Sequence, residues 1–462
     1  MHGNHAIVIG ASISGLTAAR VLSDRFDHVT VVERDALPFA NDNRRGVPQG
    51  RHGHGLLASG FNELRSLFPG LEQDLVGAGA VRGDVIGDFR WFQHGFYKAK
   101  FDSGLTGILL SRPLLEGTLR RRVAALANVA IVDRTHVIGF TTDGTWRYVT
   151  GVRVQRSADE PVMLSADLVI DAGGRASRSP MWLSDLRFPR PAEDTVGVDL
   201  GYTTRTFKRR ARDLNGDLGA VIGPKPPGQR RVGFMLAMEG GRWIVSLGGW
   251  LGDHAPTDAR GFLEFARSLP SPDIYDVIKD AEPLTEAVTY AFPSNLRRRY
   301  ERLRQFPGRY LVMGDAMCSF NPFYGQGMSV AALEAQALAR TLDAARSLDD
   351  LWRPYFRAAG RIVETPWTIA AGSDFAFRGV TGRPAPGTNL INSYLARVHH
   401  AASFDRRLCR TFFDVANLLQ PATTLFRPAT LARVMRGSVW PGKPQEMPPP
   451  VAGAHSPVAR PA

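Results

Sequence analysis

Cysteine is nearly absent from this 462-residue chain: Cys318 and Cys409 are the whole set, too few for a disulfide framework. That points to a reducing compartment. Lysine is scarce as well. Only six of the 57 basic residues are lysine, and the arginines are scattered through every segment rather than gathered in the dense mixed clusters of nucleic-acid-binding tails. The formal charge of +13 is therefore read as compositional bias that leaves room for an anionic substrate or cofactor, and no nucleic-acid partner is expected. No apolar run reaches the roughly 18 residues that a membrane span requires. The stretch 6–22 lacks a signal peptide's basic leader, carries glycines at fixed spacing and runs into a second strand pattern, so it is expected to be structure in a cytoplasmic protein. No internal repeat is visible. With 44% hydrophobic and 22% charged residues, the composition is that of a globular protein long enough for two or three domains around a sizeable ligand.

What is present is ordered along the chain. Residues 5–10, His-Ala-Ile-Val-Ile-Gly, make a short apolar strand ending at a glycine; a helix-favouring run follows over 16–22, then a β-branched strand over 28–33. This is one βαβ unit, with a right-handed crossover expected. A polar loop over 39–55 interrupts the pattern, and a helix and strands around 85–101 follow. Leu115, Leu119, Val123 and Leu126 give a helix over 114–127 one apolar face. Short strands recur over 129–170. Over 194–250 the period becomes two: Val196, Val198, Leu200 and Tyr202 share a face, as do Phe234, Leu236 and Met238, and Trp243, Val245 and Leu247. That predicts an antiparallel sheet with one face buried, set between α/β stretches. The α/β pattern returns at 309–315, with a helix from near Gly327. Helices fill 350–435, and the proline-rich 441–462 is expected to be a disordered tail.

Two stretches carry chemistry. In Gly10-Ala-Ser12-Ile-Ser-Gly15, Gly10 permits the tight turn and Gly15 close helix packing, so the helix N-terminus can face a pyrophosphate; Ser12 stands where a middle glycine is usual. Glu33, ending the second strand, is placed to accept from a ribose hydroxyl and would repel a 2′-phosphate. This favours FAD or NAD over NADP as the bound dinucleotide. About three hundred residues later comes Gly314-Asp315-Ala-Met-Cys-Ser-Phe-Asn-Pro322-Phe-Tyr-Gly325-Gln-Gly327-Met328. There a strand delivers Asp315 toward ribityl hydroxyls. Pro322, Gly325 and Gly327 bring backbone N–H groups and a helix N-terminus against something flat and partly anionic. An ordinary strand–loop–helix connection is the alternative for this segment.

These residues resemble the class A FAD-dependent monooxygenases of the para-hydroxybenzoate-hydroxylase fold, and within them the bacterial polyketide polyene epoxidases and, more distantly, squalene epoxidase. The resemblance rests on 10–15 with Glu33-Arg34-Asp35, on Arg45-Gly-Val-Pro-Gln-Gly-Arg-His-Gly-His54, on Ser111-Arg112-Pro-Leu-Leu-Glu116, on Asp171-Ala-Gly-Gly-Arg-Ala-Ser177 and on 314–330. It implies an α/β fold: an FAD-binding, Rossmann-like (GR2-type) domain over 1–190, with an excursion into the substrate domain near 80–105. An antiparallel-sheet substrate domain would span 191–300, the rest of the FAD domain 301–345, and a C-terminal helical region 346–440. It also implies that Gly10, Ser12, Gly15, Glu33, Arg34, Arg45, Arg112, Asp315, Pro322, Gly325, Gly327 and Met328 hold FAD, with Arg112 at the ribityl or pyrophosphate region. Asp171–Ser177 would correspond to the segment joining FAD and NAD(P)H handling; Ala172, between the aspartate and its glycines, equally suits a backbone turn beside FAD. The implied reaction is insertion of one oxygen atom from O2 into a large hydrophobic small molecule, as an epoxidation or hydroxylation, by a flavin C4a-hydroperoxide. NADH, NADPH or a separate flavin reductase would supply electrons, and no catalytic acid, base or metal is called for.

Rival readings are a flavin halogenase, whose Trp-x-Trp-x-Ile-Pro segment is missing here, an FAD-dependent isoprenoid reductase of the geranylgeranyl type, and a non-redox escort protein on the same scaffold. His52 and His54 form an H-x-H pair with no third ligand cluster, so no metal is expected. Cys318 reads as a small buried apolar residue, and Trp243 and Trp250 as packing. Residues 411–435, apolar with Arg427, Arg433 and Arg436 beside them, suit either docking on the protein's own core or a peripheral membrane contact.

Overall fold

The apolar, β-branched runs around the first glycine turn do form parallel strands. In a computed structural model, which describes residues 3–157 and 159–439, the strands Tyr310–Val312, Leu168–Asp171, Gly3–Ile9, Phe26–Val32 and Val129–Val132 lie side by side in that order, every pair parallel. Ala6, Ile7 and Val8 at its centre are fully buried, as expected for a sheet covered on both faces. Helix Ile13–Ser23 crosses one face and packs against helix Gly327–Ala344. Chain segments three hundred residues apart thus share one core. The fold is mixed α/β with a parallel Rossmann-like centre, further sheets and C-terminal helices, in line with the expected fold class.

The second large sheet has eight strands, in the order Cys318–Ser319, Val288–Arg298, Glu193–Lys208, Arg242–Gly249, Arg231–Met238, Gly219–Ile222, Phe89–Gln93 and Phe96–Tyr97. It departs from the sequence expectation in two ways. The strand Phe89–Gln93, in the 80–105 stretch expected to enter this domain, pairs in parallel with Gly219–Ile222 where an antiparallel sheet is predicted. In addition, both of its faces are apolar. Trp243, Val245, Leu247 and Met235 pack against Phe262 and Phe265 of helix Ala259–Arg267, while Phe234, Leu236 and Ile244, of opposite parity, turn to an internal cavity. Alternating strands can bury two apolar sets when something covers each face.

Helix Arg112–Ala124 starts and ends earlier than the apolar face suggests; its start is set by Ser111, which caps it by accepting from the Leu114 N–H at 3.2 Å. The 129–132 segment then joins the parallel sheet. At the C-terminal end, helices Trp352–Asp374, Thr388–Ala401, Arg406–Ala416 and Pro428–Val439 follow one another. Cys409, Leu408, Phe413 and Val434 form a core of their own with Ile86, Ala99 and Leu105. The tail expected over 441–462 lies outside the described residues.

A buried ion cluster pins Phe89–Gln93 to the rest of its sheet. Arg90 donates to Asp217 (2.9 Å), Asp273 (2.8 Å) and the Leu214 carbonyl (2.7 Å), and Lys100 also reaches Asp217. Removing one partner from a buried pair leaves uncompensated charge. Arg90→Met is expected to lower stability by about 3–5 kcal/mol, read as a drop in the urea midpoint. An unchanged midpoint would show that the cluster is not coupled to folding.

Candidate active site

The glycines of the first motif are required by distance. Gly10 has φ +100°, and a Cβ there would stand 2.7 Å from the Ala172 carbonyl oxygen; a Cβ on Gly15 would stand 1.8 Å from the Gly10 oxygen. Only glycine lets strand, turn and helix approach this closely. Ser12 precedes helix Ile13–Ser23 in extended conformation but leaves its backbone uncapped. Its hydroxyl instead donates to Glu116 (2.9 Å) and accepts from Arg112 (3.0 Å). The first-turn N–H groups of this helix have no intrahelical acceptors, and the buried Ser14 hydroxyl has no hydrogen-bond partner among the described residues.

Glu33 closes the neighbouring side. One carboxylate oxygen accepts from the Ala11 N–H (2.8 Å) and meets Arg44 (3.0 Å); the other accepts from the Asp35 N–H (3.0 Å). Arg44 continues to Glu116 (2.7 Å) and Asp35 (3.1 Å). Sequence reasoning missed Arg44 in this role and chose its neighbour. Arg34 and Arg45 are exposed and hydrogen-bond to nothing among the described residues, so the structure does not bring them to the other site residues. The reason is a one-residue turn: the Gly46 N–H donates to Asp35 (2.6 Å), which turns Arg44 inward and Arg45 outward.

The second motif arrives against the first. Gly314 has φ +66°, and a Cβ on it would sit 2.6 Å from the Ser14 hydroxyl, so the two segments meet at these two residues. Asp315 is half-buried and its carboxylate has no hydrogen-bond partner among the described residues. Burial raises its pKa, opposed by the Arg112 and Arg175 guanidinium groups. Pro322 opens the short turn Pro322–Tyr324, which Gly325 (φ +65°) ends beside Gly55, where a Cβ would come within 3.4 Å. Gly327 begins its helix next to Asp315, and Met328 is buried just behind it.

Arg112 joins the two halves. Besides Ser12 it donates to His54 Nε2 (3.3 Å), and its buried Nε faces Glu116 at 3.7 Å with no hydrogen-bond partner among the described residues. His54 Nδ1 in turn donates to the His52 carbonyl (2.9 Å), which assigns the tautomer. Burial, with Arg112 beside it, holds His54 down to about 3; burial and Arg51 hold His52 down to about 4. Both rings are neutral at ordinary pH. They diverge, His52 turning to Thr204 (2.7 Å), and no cluster of three metal-ligating side chains occurs among the described residues. Asp171 is occupied within its own turn by the Gly173 N–H (2.7 Å) and the hydroxyls of Ser177 (2.5 Å) and Ser179. Of the two readings left open for that motif, this geometry matches the backbone turn.

Asp374, at the end of helix Trp352–Asp374, had no sequence signal at all. Fully buried, it accepts from Trp250 (3.0 Å), Asn295 (2.7 Å), Asn321 (3.0 Å) and Tyr324 (3.3 Å). It thereby ties the 321–324 loop to the second sheet, and burial lifts its pKa to about 6. Over this loop and over 52–57 lies a cavity of about 870 Å³, walled by Phe234, Leu236 and Ile244 of the sheet and by Trp367, Leu395 and Phe413 of the C-terminal helices. Cys318, Trp243 and Trp250 are buried, as the sequence suggests.

This architecture is the fold of the FAD-dependent monooxygenases. Para-nitrophenol 4-monooxygenase PnpA from Pseudomonas putida DLL-E4 superposes with TM-score 0.64 at 17% identity over 90% of this chain and 99% of its own. The flavin-dependent halogenase CmlS does so with TM-score 0.63 at 17% identity over 91% and 77%. No protein-family model matches the chain. Among curated proteins, kynurenine 3-monooxygenase of Xanthomonas campestris pv. campestris is 26% identical over 374 residues, 77% of this chain and 75% of its own. Protein Rv3254 of Mycobacterium tuberculosis is 37% identical over 409 residues, 83% of this chain and 82% of its own. The chain belongs to the family of Protein Rv3254.

Glu334 supplies a pH test of the junction. Fully buried on helix Gly327–Ala344, it accepts from the Gly314 N–H at 2.5 Å, and burial raises its pKa from 4.5 to about 8. The folded state holds a proton that the unfolded chain releases, so this contribution is largest below pH 4.5 and is lost as pH rises to about 8. Wild-type thermal midpoints should fall more steeply across that window than those of Glu334→Gln. Parallel curves would place the proton elsewhere.

Proposed function

We propose that the protein is an FAD-dependent monooxygenase acting on a large, mainly apolar small molecule. One observation carries the reading: two glycine-built cradles from opposite ends of the chain meet at Ser14 and Gly314, beneath an apolar cavity of about 870 Å³. The residues fit a flavin dinucleotide, because Gly10, Gly15 and Gly314 admit no Cβ without a clash and the Ser14 hydroxyl, the Arg112 Nε and the Asp315 carboxylate have no hydrogen-bond partner among the described residues. Gly10, Ser12, Gly15 and Glu33 would hold the adenosine and pyrophosphate half. Arg112 and Asp315 would hold the ribityl region, and Pro322, Gly325, Gly327 and Met328 the ring.

When bound, the reduced flavin supplies the activation of O2. The chain's part is positional. The N-terminus of helix Gly327–Ala344 favours negative charge on the ring. Neutral His52 and His54, with Tyr202 and Tyr290 kept protonated by burial, offer polar contacts without a competing base. Phe234, Leu236 and Trp367 exclude water and leave space for an electron-rich alkene or ring. Epoxidation or hydroxylation both suit such a wall, with NADH, NADPH or a separate reductase as electron donor.

The purified protein should be yellow. Asp315→Ala should bind FAD about 10- to 100-fold more weakly, the loss expected for a charged hydrogen-bonding group, read by titrating flavin fluorescence. Anaerobic reduction by each nicotinamide, then addition of isotopically labelled O2 with a polyunsaturated hydrocarbon probe, should place labelled oxygen in the product. A colourless protein, or a product reduced without oxygen uptake, would overturn the reading.

A further inference from the structure

The C-terminal helices leave an apolar stripe that nothing in the described chain covers. On helix Pro428–Val439, Thr430 and Val434 face the core, while Leu431, Met435 and Val439 recur every fourth residue on the outer side and are 37%, 55% and 60% exposed. Phe426, just before the helix, is 40% exposed and packs at a tilt against the Tyr394 ring, centroids 5.0 Å apart. Leu390, one turn before Tyr394 on its own helix, is 77% exposed. Isolated exposed apolar residues need no explanation, but a contiguous stripe does.

The charge around it has one sign. Positions 375–439 hold nine arginines against two aspartates. The aspartates are engaged by Arg410 (2.8 Å) and Arg433 (2.9 Å), and the other arginines, Arg427 and Arg436 beside the stripe among them, have no carboxylate partner among the described residues. Apolar side chains flanked by unpaired arginines match the boundary of an anionic bilayer, where the rings and aliphatic chains enter the acyl region and the guanidinium groups meet headgroups. No helix among the described residues is long and apolar enough to cross a membrane, so the contact is peripheral.

The stripe also adjoins the cavity. Phe426 and Ile391 line the cavity and are at the same time 40% and 37% exposed, which makes them its rim. We propose that the surface formed by Leu390, Phe426, Leu431 and Met435 with Arg427 and Arg436 docks on an anionic lipid surface and opens the cavity toward it. Given the monooxygenase reading above, on which only this second step rests, an apolar substrate passes from bilayer to cavity without crossing water.

The test uses the full-length, FAD-loaded protein in flotation with vesicles of phosphatidylcholine alone or mixed with phosphatidylglycerol. Binding is expected only to the anionic vesicles and should weaken with added salt. Leu431→Asp/Met435→Asp should abolish it, and Arg427→Ser/Arg436→Ser should weaken it about tenfold or more, with the flavin spectrum unchanged in both. No flotation of the wild type, or equal flotation of the Asp variant, would overturn the proposal. So would a dimer in size-exclusion chromatography that the Asp variant loses, which would assign the stripe to a second copy. Flotation gained only on deleting 440–462 would assign it to the chain's own tail and overturn the proposal equally. Vesicle binding does not depend on flavin chemistry, so its failure and a failure of the monooxygenase reading are separately visible.

Discussion

A contact between backbone and hydroxyl, Gly314 against Ser14, is the constraint on which the site depends. Because Gly314 has no side chain and a left-handed φ, the last strand of the parallel sheet can end directly over the first turn of helix Ile13–Ser23. Helix Gly327–Ala344 then packs on that same helix. Two helix N-termini are thereby brought to one region, each with the partial positive charge that unpaired N–H groups carry. Any larger residue at 314 would push the second cradle off the first, and Asp315 with it.

Around that contact the charges balance in a chain. Glu33, Arg44, Glu116, Ser12, Arg112 and His54 are linked successively, all of them at least partly withdrawn from water. Two guanidinium groups offset two carboxylates within the chain, while Asp315 hydrogen-bonds to no group among the described residues. Burial raises its pKa, opposed by the field of Arg112 and Arg175. A polyol that donates hydroxyls would complete it, so the incomplete member of the network is also the one best suited to a ligand.

Local features were legible from sequence because local sterics cause them. The glycine spacing over 10–15, the strand ending at Gly314 and the period-two runs of 194–250 each follow from turn geometry or strand pleat, and each appears in the fold. What escaped was decided at a distance. Arg44 rather than Arg45 enters the site because Asp35 captures the Gly46 N–H, a choice that two adjacent arginines do not announce. The parallel pairing of Phe89–Gln93 and its buried ion cluster, assembled from three separate segments, carry no local signal. The strands of 231–249 show apolar residues at both parities, and pattern alone does not say which set meets helices and which meets a cavity.

Asp374 shows how the distant parts become one device. It stands on the helix that walls the cavity, yet its four donors come from the second sheet (Trp250 and Asn295) and from the loop of the second cradle (Asn321 and Tyr324). Each donor supplies an N–H or O–H and the carboxylate only accepts, so no single neutral side chain of similar size satisfies all four at once. The cavity wall is therefore held to the 321–324 loop by one buried carboxylate as well as by the packing of Ala371 and Phe377 on Val196, Val198 and Trp250. Phe234, Leu236, Ile244, Trp367 and Leu395 give much of the cavity an apolar wall, while His52, His54 and Asn417 place polar groups on it.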